Sequence, residues 1–227
     1  MNITFYGQST FLIEMNGKHL LFDPFITGNP KAGHIDVSSI KPDYILLSHG
    51  HGDHVADAEA LAKKNGAKII SNYEIVSWFG EKEITGHPLN HGGKWNFDFG
   101  TVKYVNAIHS SVLPDGTYGG NPGGFVVWDK NTCFYFAGDT ALTLDMKLIP
   151  ITCPKLDFAI LPIGDNFTMG YEDAAIAAEY IECDTIIGCH FDTFGYIEID
   201  HAAATAAFEK RGKKLILPAV GEKVEGI

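Results

Sequence analysis

The stretch Ser48-His49-Gly50-His51-Gly52-Asp53-His54 places three imidazoles and one carboxylate within six consecutive positions. It directly follows the apolar run Tyr44-Ile45-Leu46-Leu47, which is rich in strand-forming residues and predicts a buried strand. In α/β folds, side chains converge on a crevice in the loops that leave the carboxyl ends of strands. Four potential metal ligands therefore stand where such a fold places its chemistry.

The types and spacing of these residues favour an open, catalytic metal site. Neutral imidazole and carboxylate suit zinc, manganese or iron, and no cysteine lies nearby to complete a closed structural zinc site. His49 and His51 are two apart, so in extended backbone they project to the same side and can chelate one ion, while Asp53 and His54 would face a second. A chance cluster is disfavoured, because histidine packed among apolar neighbours without a partner costs desolvation.

The composition predicts one globular domain over residues 1–227. Hydrophobic residues make up 45% of the positions and charged residues 20%, and no linker-like stretch divides the chain. The net charge of −11, from 17 Lys and Arg against 28 Asp and Glu, argues against nucleic acid as a partner. We find neither a signal-peptide pattern nor an apolar run of about 18 residues. We therefore expect a cytoplasmic protein without a membrane partner.

The four cysteines, at positions 133, 153, 183 and 189, show no metal-binding or redox spacing. In a cytoplasmic chain we expect free, buried thiols. Cys189 adjoins His190 and could line the site.

The pattern of apolar residues predicts an opening antiparallel meander, followed by strands that alternate with helices and hairpins. Asn16-Gly17 is the turn of the first hairpin and Gly100-Thr101 that of the second. The predicted strands are 3–6, 10–14, 20–22, 44–47, 68–71, 95–99, 102–104, 125–128, 133–136, 156–161, 185–188 and 215–217. The predicted helices are 55–65, 74–79, 172–182 and 201–211.

Candidate ligands recur at the ends of four predicted strands. One strand is followed by the His-rich stretch, a second by His109, a third by Asp139 and a fourth by His190. A pair of sheets with helices outside, and with all these loops at one edge, accounts for the recurrence.

With these residues the sequence resembles the metallo-β-lactamase superfamily, whose signature is H-x-H-x-D-H after a strand, followed by a later His, Asp and His. The resemblance covers nearly the whole chain. Within the superfamily the chain is similar to uncharacterised metal-dependent hydrolases related to the ascorbate-phosphate lactonase and phospholipase D-like branches. The motifs that carry this similarity are Leu21-Phe22-Asp23-Pro24, His109-Ser110-Ser111, Ala137-Gly138-Asp139-Thr140 and the stretch from Leu161 to Gly170.

The resemblance implies an α/β fold built as a four-layer αββα sandwich, with two divalent metal ions at one edge. Zinc is the first expectation for these ions, and manganese, nickel and iron are alternatives. The implied ligands of the first ion are His49, His51 and His109, those of the second are Asp53, His54 and His190, and Asp139 bridges the two. Asp53 is also the candidate catalytic residue, because it could orient the nucleophile, and Asp23 would fix a ligand imidazole.

The implied function is a metal-dependent hydrolase in which a metal-bound hydroxide cleaves a small ester, lactone or phosphoester. One alternative is an iron-dependent oxidoreductase of the persulfide dioxygenase type. A diiron flavoprotein is disfavoured, because that branch has Glu where this chain has His51. The other alternative is a non-catalytic metal-binding protein, which the presence of all seven ligands disfavours. The sequence leaves open the substrate, the metal, the oligomeric state and whether loops 114–124 and 163–171 shape the pocket.

Overall fold

The strands of the protein form two mixed sheets in a computed structural model that describes residues 1–225 and residue 227. The first sheet has six strands side by side in chain order. These are β1 (Asn2–Gly7), β2 (Thr10–Met15), β3 (Lys18–Phe22), β4 (Tyr44–Leu46), β5 (Lys68–Asn72) and β6 (Gly86–Leu89). The second sheet has seven strands, also side by side in chain order. These are β7 (Lys94–Phe97), β8 (Gly100–Asn106), β9 (Gly123–Trp128), β10 (Cys133–Phe136), β11 (Phe158–Pro162), β12 (Thr185–Cys189) and β13 (Lys214–Ile216).

The helices cover the outer faces of the two sheets. They are α1 (Gly52–Val55), α2 (Ala58–Asn65), α3 (Tyr73–Gly80), α4 (Ile149–Thr152), α5 (Tyr171–Tyr180) and α6 (His201–Glu209). Alternation along β3 shows how the layers form: Leu20 and Phe22 point into the core between the sheets, whereas Leu21 packs beneath α2 and α3. A third apolar cluster joins the other face of the second sheet to α4, α5 and α6. The predicted four-layer αββα sandwich is confirmed.

Strand direction brings the candidate ligands to one edge of the sandwich. Strands β3 to β6 run parallel to one another, and so do β10 to β13. Strand β8 runs the same way as β10, because both are antiparallel to β9. The C-terminal ends of β4, β8, β10 and β12 therefore lie at the same edge of the sandwich.

Two local predictions are wrong, and one strand was missed. The helix predicted over 55–65 is divided into α1 and α2 at Asp57, whose carboxylate accepts hydrogen bonds from the amides of Ile26 (2.6 Å) and Thr27 (2.9 Å). The turn predicted at Gly100-Thr101 lies two residues earlier. Gly100 instead opens β8 with φ of +149°, where a Cβ atom would lie 2.5 Å from the Trp128 carbonyl oxygen. Strand β6 was not predicted, because Gly and Pro are rare in strands. Its position at the edge of the first sheet is where such residues are tolerated.

Cys189 does not line the site. Its side chain is buried in the core between the sheets, and burial raises the pKa of its thiol. Among the described residues, no helix is long and apolar enough to cross a membrane.

Candidate metal centre

Each of the seven predicted ligands lies in a segment that leaves the end of a strand. His49 and His51 are in the loop after β4, and Asp53 and His54 are in the first turn of α1. His190 directly follows β12 and adopts a left-handed backbone with φ of +54°, which turns its ring towards the other ligands. His109 and Asp139 follow β8 and β10 by three residues. The structure brings all seven together.

The ligand atoms form two groups. In the first group the ligand atoms of His49, His51 and His109 lie within 4.8 Å of one another, and Nε2 of His49 is 2.9 Å from Nδ1 of His51. In the second group Oδ2 of Asp53 lies 3.5 Å from Nε2 of His54 and 3.7 Å from Nε2 of His190. These are the two triads that the resemblance implied.

One oxygen of Asp139 lies between the two groups. Its Oδ2 is 3.0 Å from Nε2 of His190, 3.3 Å from that of His54, 3.6 Å from that of His109 and 4.0 Å from that of His49. Ligands bound tetrahedrally at about 2.0–2.1 Å from one ion are about 3.3 Å apart. The separations at Asp139 therefore fit ligands that share ions, with this carboxylate common to both groups.

The hydrogen bonds behind the imidazoles fix which ring nitrogen is free. Oδ2 of Asp23, a fully buried carboxylate, accepts from Ser48 Oγ at 2.5 Å and pairs with Nδ1 of His54 at 2.8 Å. The Ser48 hydroxyl has one proton, which it donates to Asp23, so at 2.9 Å it accepts from Nδ1 of His49. Both histidines therefore carry their proton on Nδ1 and present the lone pair of Nε2. This is the tautomer that a metal ligand needs.

Three buried atoms of the candidate ligands lack hydrogen-bond partners within the described chain. They are Nε2 of His54, Oδ1 of Asp139 and Nδ1 of His190. Buried polar atoms are normally satisfied, so the unsatisfied Nε2 of His54, 3.3 Å from Oδ2 of Asp139, fits a bound cation. The donor set of five imidazoles and two carboxylates suits zinc, manganese or iron.

Protons compete with cations for this centre. Burial alone would lower the pKa of His190, but the adjacent Asp139 carboxylate outweighs burial and raises it to about 9. Burial also opposes the charged form of His54, yet Asp139, Asp53 and Asp23 raise its pKa well above the usual value. His49 differs, because burial and the neighbouring His54 hold its pKa well below the usual value. The second group is therefore the more negative of the two and would bind protons in the absence of a metal.

Gln8 is a residue of this site that the sequence did not reveal. It lies in the β1–β2 turn, is almost fully buried, and has φ of +52°. Its Nε2 donates to Oδ2 of Asp53 at 2.9 Å, and its carbonyl oxygen accepts from the amide of His190 at 2.8 Å. Gln8 thus ties two members of the second group to the same turn. The available signal was strand pairing: β2 runs antiparallel to β3, so the turn before it lies at the ligand edge.

A cavity of about 420 Å³ opens over the centre. Its walls include two aromatic rings, and Phe167 places the loop 163–171 at the pocket. Segment 114–124 supplies none of the lining residues among those described; Asn72 instead holds it through the Gly119 carbonyl oxygen at 2.7 Å. The cavity is lined by His51, Asp53, His109, Ser110, Asp139, Phe167, His190 and Phe194.

Comparison with known proteins identifies the family. The sequence profile described as "Beta-lactamase superfamily domain" matches residues 2–190. The chain belongs to the beta-lactamase superfamily. A "UPF0173 metal-dependent hydrolase" of Flavobacterium johnsoniae is 61% identical over 225 residues, which cover 99% of this chain and 100% of the relative. A protein of the same name in Methylacidiphilum infernorum is 48% identical over 210 residues, covering 92% of each chain.

A solved structure with the same fold supports this assignment. Igni18, described as a novel metallo hydrolase from the archaeon Ignicoccus hospitalis, superposes with a TM-score of 0.89 at 30% identity. The match covers 98% of this chain and 97% of Igni18. The predictions of the superfamily, the fold and a metal-dependent hydrolase are confirmed. The relation to ascorbate-phosphate lactonases stays a prediction.

Proposed function

We propose that the chain is a hydrolase with a binuclear metal centre that cleaves a small ester, lactone or phosphoester. The observation that carries the proposal is the position of Asp139, whose Oδ2 lies 3.0–4.0 Å from imidazole nitrogens of both groups. His49, His51 and His109 would hold one ion, and Asp53, His54 and His190 the other, with Asp139 bridging. Zinc is the expected metal at both positions.

When bound, divalent ions at these positions would lower the pKa of a water molecule and polarise an oxygen of the substrate. Asp53 lines the cavity and can accept a hydrogen bond from a water molecule there. Burial opposes its charge, but His54 and His190 outweigh burial and lower its pKa, so it is a carboxylate at neutral pH. Gln8 holds one of its oxygens and thereby orients the carboxylate.

No side chain of the cavity is arranged as an activated nucleophile among the described residues. Ser110 Oγ lies 3.4 Å from Nε2 of His51, a long hydrogen bond, and His51 is itself a candidate ligand of the first ion and so would not be free to act as its base. Cys189 points into the core. Both observations support water as the attacking group.

The ion content of variants tests the proposal. Dialysed wild-type protein should retain two ions per chain, His190→Ala about one, and Asp139→Ala less than His190→Ala because the bridge serves both groups. His19→Ala is the matched control, since His19 is a partly exposed histidine paired with Asp43 near the start of β3, at the opposite edge of the sheet from the candidate ligands. Two ions in Asp139→Ala, or only one in the wild type, would contradict the bridge. Iron as the bound metal would favour the oxidoreductase alternative.

We also propose a class of substrate, a location and a partner class for the protein. The substrate would be a small molecule that enters the cavity of about 420 Å³, a size typical of such sites. A cytoplasmic location and the lack of a nucleic-acid partner follow from the sequence arguments above and stay predictions.

A further inference from the structure

The walls of the cavity differ from its floor in chemistry. The floor consists of the candidate ligands, whereas Phe167 and Phe194 stand at the opening and remain 52% and 37% exposed. Each ring rests on a second aromatic ring: Phe194 lies 6.2 Å from Phe25, and Phe167 lies 6.3 Å from Tyr196, measured between ring centroids. Such pairs hold aromatic rings in place, so the rings of Phe167 and Phe194 stand in fixed positions at the opening.

The loops also fix the positions of these rings. Beside Phe167, Met169 is buried in the core, and its amide donates to the Thr140 carbonyl oxygen at 3.0 Å. The Phe194 carbonyl oxygen accepts from the amide of Ile197 at 3.0 Å, which closes a tight turn. The apolar walls are therefore preformed.

No lysine or arginine faces the cavity within the described chain. None of the eight lining residues is Lys or Arg. The stretches of chain that carry them, residues 42–62, 104–129, 131–146 and 156–209, contain no Lys or Arg either. A neighbouring groove beside Tyr196 is lined by Asp165, Glu198 and Asp200. Proteins that select phosphate groups normally supply Arg or Lys to them. An anionic substrate would therefore find no lysine or arginine among the described residues of the cavity and would have acidic side chains in the neighbouring groove.

The net charge of the centre also favours an uncharged ester over a phosphate monoester. Two divalent ions bring a charge of 4+, and Asp23, Asp53 and Asp139 bring 3−, which leaves about one positive charge (4 − 3 = 1) when the histidines are neutral. One positive charge matches the single oxyanion that develops on a carbonyl during ester hydrolysis. It does not balance the two negative charges of a phosphate monoester.

We propose that the substrate is an uncharged carboxylic ester or lactone that carries an aromatic or other flat apolar group, which Phe167 and Phe194 bind. In the reaction the oxygen of water bonds to the carbonyl carbon and the acyl–oxygen bond breaks. One proton of water passes to the leaving alcohol, and the products are the acid and the alcohol without any redox partner. This inference rests on the proposed function.

Two hydroxamic acids test the aromatic walls without any need for turnover. Zinc-loaded protein should bind benzohydroxamic acid about tenfold more tightly than acetohydroxamic acid in calorimetry, because burying a ring contributes about 1.5 kcal/mol or more. Phe167→Ala and Phe194→Ala should each reduce that ratio several-fold with ion content unchanged. Trp95→Ala, which removes an exposed ring outside the cavity, should preserve it. An equal affinity for both acids, or a ratio insensitive to the two Phe substitutions, would overturn the inference.

A pair of substrates with the same leaving group tests the charge. The zinc-loaded chain should hydrolyse 4-nitrophenyl phenylacetate with a kcat/KM at least a hundredfold above that for 4-nitrophenyl phosphate. Preference for the phosphate, or hydrolysis of neither compound by a chain that keeps its ions, would refute the substrate class. Loss of the ions themselves would instead refute the proposed binuclear centre, so the two failures are distinguishable.

Discussion

The substitution Asp23→Asn tests how the protein sets the protonation of its candidate ligands. Asp23 accepts from the Ser48 amide through Oδ1 at 2.8 Å, and from the Ser48 hydroxyl and His54 through Oδ2. An asparagine can keep its oxygen on the Ser48 amide only by pointing its NH2 group at the other two partners. The NH2 group has two protons and no lone pair to offer.

The consequence should reach both groups of ligands. Nδ1 of His54 must then accept a proton, so its own proton moves to Nε2 and blocks the lone pair that faces Asp139. The Ser48 hydroxyl becomes free to donate to Nδ1 of His49, which shifts that ring in the same direction. Loss of such partners typically costs 10- to 100-fold in metal affinity, or about 1.4–3 kcal/mol. We expect a loss of this size in each group.

Competition with a chelator measures the two affinities, and nitrogen chemical shifts of the imidazoles report which ring atom carries the proton. Asp57→Asn is the matched control, because Asp57 is another buried carboxylate, and both amides it accepts from bond a single oxygen that asparagine retains. The control should bind metal as the wild type does. Unchanged affinity in Asp23→Asn, or His54 still protonated on Nδ1, would refute the reasoning.

Three further predictions concern the same centre. Gln8→Met removes the hydrogen bond to Asp53 without changing side-chain length, so the affinity of the second group should fall about tenfold in chelator competition, and an unchanged affinity would exclude a positioning role. The metal-free protein should lose stability as pH rises from 6.5 through about 9, because the folded-state pKa of His190 is raised. Below pH 6.5 the charged form of His190 then contributes up to about 3 kcal/mol to the free energy of unfolding. Urea unfolding at a series of pH values measures this contribution, and the zinc-loaded protein should not show this dependence of stability on pH. Ser110→Ala should keep most of the metal-dependent turnover, whereas Asp53→Ala should lose at least a hundredfold; the reverse order would indicate a serine nucleophile.

The sequence revealed the candidate ligands because they follow strands whose apolar runs are easy to recognise. The strands before His49 and His190 are short, continuous and rich in isoleucine and leucine, so their ends could be located within one or two residues. Within each sheet the strands lie in chain order, but the division into two sheets between β6 and β7 has no local signal, since it depends on how distant segments pack. Strand β6 was missed for a related reason, because its pairing with β5 forms it despite a weak local pattern.

The supporting residues were harder to predict than the ligands, because their roles depend on pairing rather than on residue type. Gly7-Gln8-Ser9 has the composition of an ordinary turn, and only the pairing of β1, β2 and β3 places Gln8 beside Asp53. Asp23 was predicted as a partner of a ligand imidazole through the resemblance. The chain of hydrogen bonds from it through Ser48 to His49 required coordinates.

Six of the seven candidate ligands lie outside the two loops that carry the aromatic rings, and this separates reactivity from specificity. The candidate ligands lie beyond strand ends whose positions the two sheets fix, and only His190 shares a loop with one of the rings. Phe167 and Phe194 belong to the loops that leave β11 and β12, and the neighbouring residues Asp165, Asn166 and Asp192 have left-handed backbones with φ of 54–60°. Substitutions in these loops can change the rings without moving a strand. We therefore expect relatives that keep all seven ligands to differ in substrate mainly through these two loops.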